Sequence, residues 1–114
     1  METIKKIIEW SEFAFPDATL DGQIDKFNTE YEEYFNADNN CDRLKELADV
    51  FIVAFSISRF DIGEGLYYIN GAWQLYSNSP FSLDEVVGAI QNKMSVNRQR
   101  KWKKQNGQYQ HENN

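Results

Sequence analysis

Two acidic pairs lie close together near the middle of the chain: Glu30 and Glu33 in TEYEEYF, then Glu46 and Asp49 in LKELADVFIVAF. Carboxylates three positions apart share one face of a helix, so each pair offers two hard oxygen ligands in one direction. Four such groups suit Mg²⁺ or Mn²⁺, which prefer octahedral oxygen coordination and keep several waters. The all-carboxylate set argues against zinc. It also argues against a di-iron centre, whose Glu-x-x-His motif has no counterpart here, because the single histidine is His111 near the end of the chain.

The elements that must position these groups can be read around them. From Leu47 to Ile57 the sequence LADVFIVAFSI is apolar on almost every side, the pattern of a helix buried all round. At 100° per residue Glu46, Asp49, Val53 and Ile57 share one face, and Leu44, Ala48, Phe51 and Phe55 the opposite one. The second pair therefore begins a face that continues as core, where ionised carboxylates demand a positive partner. In the first pair, Lys26, Glu30 and Glu33 follow i, i+4, i+7 spacing beside an apolar stripe of Leu20, Ile24, Phe27, Tyr31 and Tyr34. Antiparallel packing across the short NADNNCD connection would make the two pairs face each other.

Four main helices are expected, in an all-α, four-helix-bundle-like domain over residues 1–104. The first runs from about Glu2 to Phe13, with Ile4, Ile7, Ile8 and Trp10 as its apolar side and a break at Pro16. The second spans Thr19 to Asn36. The third covers Asp42 to Phe60 and ends near Gly63 as a left-handed cap. The last starts at Ser82, where Ser-x-x-Glu to Glu85 reads as a capping box, and continues to about Lys104. Between them, the aromatic and glycine-broken IGEGLYYINGAWQLYSNSP has room for a short helix over Leu66 to Tyr76, covering the bundle or building a dimer contact. The Gln- and Asn-rich stretch 105–114 reads as a flexible tail.

A chain of 114 residues supports one domain with a modest core, of a size that oligomerisation often completes. One cysteine, Cys41, allows no internal disulfide and points to a reducing compartment. No apolar run is long enough to cross a bilayer, so a soluble cytoplasmic protein is expected. The net charge is −6, yet Lys93, Arg98, Arg100, Lys101, Lys103 and Lys104 form a basic run. Nucleic-acid contact is one reading of that run, disfavoured by the acidic remainder of the chain. Phosphate contact suits Lys93, Asn97 and Arg100 better, since they repeat the i, i+4, i+7 stripe, whereas Lys101, Lys103 and Lys104 read as a solvated face. Trp10 and Trp102 near a pocket mouth would suit a nucleobase.

Glu-x-x-Glu, a gap, and Glu-x-x-Asp within ELADV resemble the signature of the all-alpha nucleoside triphosphate pyrophosphohydrolases, the MazG-like group related to the helical dUTPases. Upstream, FPDATLDGQIDKF with Gln23 and Lys26 looks like that group's lead-in. Downstream, NKMSVNRQRKW resembles its Lys-x-x-x-Asn-x-x-Arg segment, here Lys93, Asn97 and Arg100. The likeness runs from about Pro16 to Trp102, apart from the stretch between Asp61 and Pro80. Thr29 departs from it, standing where many relatives carry another acid. The resemblance implies cleavage between the alpha and beta phosphates of a nucleoside triphosphate to a monophosphate and pyrophosphate. It also implies a homodimer or a dimer of dimers. Glu30, Glu33, Glu46 and Asp49 would hold Mg²⁺ and carry the chemistry, and Lys26, Lys93, Asn97, Arg100 and Trp10 would contact substrate. The alternative is a helical module that binds a nucleotide or a protein without turnover.

Overall fold

The computed structural model describes residues 2–100, 102–105 and 108–111, and within them the chain forms five helices followed by a two-stranded hairpin. The helices are α1 (Ile4–Ala14), α2 (Leu20–Asn36), α3 (Asn40–Ile57), α4 (Ile62–Ser77) and α5 (Leu83–Gln99). Each begins at a residue whose side chain accepts a hydrogen bond from a first-turn N–H that has no partner within the helix: Thr3, Thr19, Asn39, Asp61 and Ser82. At Ser82 the capping box is complete, Glu85 N donating to Ser82 Oγ at 3.1 Å and Ser82 N to Glu85 Oε1 at 2.9 Å.

The centre of the molecule is α3, against which α1, α2, α4 and α5 all pack. Every residue from Val50 to Ile57 is buried, as the unbroken apolar run predicts. Each large apolar side chain of that run contributes roughly 1.5–3 kcal/mol by leaving water. Ile7 of α1, Phe27 and Tyr34 of α2, Ala72 and Leu75 of α4, and Val86 and Met94 of α5 complete the core. The turn between α2 and α3 is only Ala37–Asn39 long, and Arg43 braces it by donating to Ala37 O at 3.1 Å and Asn40 Oδ1 at 3.0 Å. So short a link forces α2 and α3 to run antiparallel side by side.

Three expectations are corrected. The glycine-broken segment is a full helix, α4, so the bundle has five helices rather than four, and Gly63 lies in the first turn of α4 instead of capping α3. Asp61 explains the difference: its carboxylate accepts from Glu64 N at 2.9 Å and restarts the helix at once. Helix α5 stops at Arg100, whose backbone is extended, and does not reach Lys104. Residues Trp102–Gln105 (β1) and Gln108–His111 (β2) pair antiparallel instead, with Trp102 opposite His111. The expected flexibility of 105–114 falls partly outside the described residues, as do the side chains of Lys101, Trp102, Lys103 and Lys104.

Candidate metal centre

Antiparallel α2 and α3 bring the two acidic pairs together. One carboxylate oxygen from each of Glu30, Glu33 and Glu46 lies within 4.8 Å of the other two, the one such group of three among the described residues. Glu33 is exposed, and Glu30 and Glu46 are half-buried. Oε2 of Glu30 and Oε2 of Glu46 are withdrawn from solvent without a hydrogen-bond donor. Such groups ordinarily find a partner, because desolvation is otherwise uncompensated.

The electrostatics follow from that geometry. Burial, then the charges of Asp49 and Glu33, push the Glu30 carboxyl up from 4.5 to about 9, against the pull of Lys26. Burial raises Glu46 from 4.5 to about 6; the facing Glu30 carboxyl pulls it down, while the charges of Asp49 and Glu33 add to the rise. Burial raises Asp49 as well, opposed by Lys93 and Lys26. Without a cation, the cluster therefore retains a proton near neutral pH. A divalent ion could replace that proton, since the donor set consists of hard oxygens and two of them lack a protein partner. A cleft of about 300 Å³ opens beside the cluster, lined by Glu33, Glu46, Asp42, Lys45 and Lys93 among others, and leaves room for water or a ligand.

Asp49 stands beside this group rather than in it. Its Oδ2 lies 3.1 Å from Lys93 Nζ, with the two side chains about one-fifth exposed. The basic stripe on α5 is thus divided. Lys93 meets the carboxylates, whereas Asn97 and Arg100 line a second cleft of about 650 Å³ against α1, together with Trp10, Phe13, Lys6 and Arg98. Asn97 is 6 % exposed, and its amide reaches Met94 Sδ at 3.9 Å. Arg100 is exposed at the end of α5. Lys26 sits where its charge acts on both Glu30 and Asp49.

Lys6 is a contributor to the larger cleft that sequence reasoning missed. Its signal was present: Lys6, Trp10 and Phe13 are spaced i, i+4, i+7 and so share a face of α1. Arg98 was visible only as part of the basic run; in the structure it also pairs with Glu2 of the segment preceding α1. Among the described residues no helix is long and apolar enough to cross a membrane. Comparison with protein-family models, with curated proteins and with solved structures finds no match to this chain.

Proposed function

We propose that this protein is a Mg²⁺-dependent nucleoside triphosphate pyrophosphohydrolase of the MazG-like kind, with Mn²⁺ as a substitute ion, cleaving its substrate to a nucleoside monophosphate and pyrophosphate. The observation that carries the reading is the convergence of Glu30, Glu33 and Glu46, with Glu30 Oε2 and Glu46 Oε2 buried and offered nothing but the cluster's own proton. They lie within a cluster completed by Glu33 and bordered by Asp49. Bound there, Mg²⁺ would offset phosphate charge and acidify a water.

The remaining roles belong to the chain. The carboxylate cluster, once its proton is lost, orients the attacking water and accepts its proton. Lys93, which lines the smaller cleft, neutralises charge developing on the departing phosphates, and Lys26, whose charge reaches Glu30 and Asp49, adds to it. Asn97 lies one helical turn beyond Lys93 on α5, about 6 Å along the axis, and opens onto the larger cleft. A nucleotide laid along α5 would have its phosphates at the carboxylates and its base against Trp10, with Arg100 closing the far end. The partly buried indole edge-packed on Phe15 at 5.1 Å supplies a rigid stacking surface.

A homodimer or homotetramer accompanies this reading. Ile62, Leu66, Tyr67 and Trp73 are half-exposed or more along α4, an apolar surface that a second copy would cover. The exposed thiol of Cys41 fits residence in a reducing cytoplasm. The test is substitution at the cluster: Glu46→Ala and Asp49→Ala should each abolish nucleotide turnover while circular dichroism reports unchanged helicity. Turnover at the wild-type rate in both variants would overturn the assignment.

A further inference from the structure

We propose that Lys93 is an internal stand-in for a divalent cation: its ammonium occupies Asp49 in the metal-free protein, and metal binding displaces it toward the cleft, where it becomes available to substrate phosphate. This inference rests on the functional reading above and concerns how that site is switched on.

Three observations carry it. Asp49 lies on the same face of α3 as Glu46, one turn away, yet is absent from the three-carboxylate group and instead pairs with Lys93 Nζ at 3.1 Å. Asp49 is mostly shielded and cannot trade its partner for water cheaply, so it gives up Lys93 most readily to another cation. Lys93 also lines the open cleft beside Glu33 and Glu46, so its long flexible stem has an adjacent place to swing. A divalent ion at the cluster, sharing Asp49, would repel the ammonium into that cleft. The same movement would place a positive charge where an incoming triphosphate needs one. Metal and nucleotide would then bind with positive coupling, because the first releases a contact group for the second.

The test is Mn²⁺ titration by calorimetry, without nucleotide, on wild type, Lys93→Met, Asp49→Asn and the double variant, together with the Lys93 Nζ signal of the wild type by nitrogen-15 NMR. Removing the competing ammonium should tighten Mn²⁺ binding by about five- to tenfold in Lys93→Met, on the scale of one displaced ion pair. In the Asp49→Asn background the same substitution should have little effect, since the contested ligand is gone. The Lys93 ammonium signal should shift or vanish as Mn²⁺, or diamagnetic Mg²⁺, is added. Equal tightening in both backgrounds would reduce Lys93 to a general repulsive charge and overturn the exchange. An ammonium signal unmoved by saturating Mg²⁺ would overturn it without recourse to any variant. No Mn²⁺ binding by wild type would overturn the metal centre itself, whereas tight binding with no response from Lys93 would overturn only the exchange.

Discussion

Lys93 Nζ approaches Asp49 Oδ2 to 3.1 Å, tying α5 to the carboxylate layer between α2 and α3. The pair is shielded enough that losing one partner strands the other. Lys93→Ala should therefore destabilise the metal-free protein by about 1–3 kcal/mol in urea denaturation. Saturating Mg²⁺ should recover more of that loss than it adds to wild type, because the ion replaces the missing charge.

Glu30 sets stability against the proposed activity. Its carboxyl is buried among like charges and keeps, up to about pH 9, a proton that the unfolded chain gives up near 4.5, so Glu30→Gln removes a cost that the metal-free protein carries at alkaline pH. At pH 8.5 in chelator the variant should melt about 3–8 °C above wild type, the shift that roughly 1 kcal/mol makes in a domain of this size. Nucleotide turnover should fall by about 10- to 100-fold or more, since an amide is a poorer metal ligand than a carboxylate.

The pH dependence has a definite sign. Folded-state values raised from 4.5 to about 9 for Glu30 and to about 6 for Glu46 mean that the native state binds protons more tightly than the unfolded chain. Their contribution is fully present below pH 4.5 and is lost as the pH rises, through about 6 for Glu46 and about 9 for Glu30. Chelated protein should melt lower at pH 8.5 than at pH 6 by scanning calorimetry, with the difference reduced in Glu30→Gln. Mg²⁺ should raise the melting temperature more at pH 8.5 than at pH 6, because metal and proton compete for the same oxygens.

Arg59 is the clamp on α1. Nη1 donates to Ser11 O at 2.7 Å and Ser11 Oγ at 2.9 Å, and Nη2 to Phe15 O at 2.9 Å, so the end of α3 holds the end of α1. Arg59→Ala should cost about 1.5–3 kcal/mol and raise amide hydrogen exchange selectively in α1. Because α1 carries Trp10 and one wall of the larger cleft, nucleotide affinity should weaken with little change in metal affinity.

Gly65 is fixed by a close approach. A Cβ there would meet the Ser58 hydroxyl and lie 2.7 Å from Ser58 Cα, a backbone atom that cannot step aside. Gly65→Ala should destabilise by about 1–3 kcal/mol in urea denaturation, and adding Ser58→Gly should restore only part of the loss.

What the sequence made legible was what local pattern controls. The cap residue Ser82, the buried α3 and the facing of the Glu30 and Glu46 helices all follow from short-range spacing and a connection too short to do otherwise. Only the Leu66 to Tyr76 part of α4 was legible, because Gly63 and Gly65 read as breaks before it. Gly65 is in fact a packing requirement against Ser58, and Asp61 supplies the cap. The end of α5 was misjudged because RQRKWKK has helical propensity, while the backbone turns extended at Arg100. At the site, spacing placed the carboxylates in proximity. It carried no information about the rotamer that gives Asp49 to Lys93, or about the cleft that separates Asn97 and Arg100 from Lys93.

The most direct measurement is phosphorus-31 NMR of a panel of ribo- and deoxyribonucleoside triphosphates incubated with the protein in Mg²⁺, in Mn²⁺ and in chelator. The predicted result is metal-dependent appearance of nucleoside monophosphate and pyrophosphate, with no diphosphate intermediate. Folded protein that leaves every triphosphate intact in Mg²⁺ and in Mn²⁺, or that releases inorganic phosphate and diphosphate instead, would contradict the assignment.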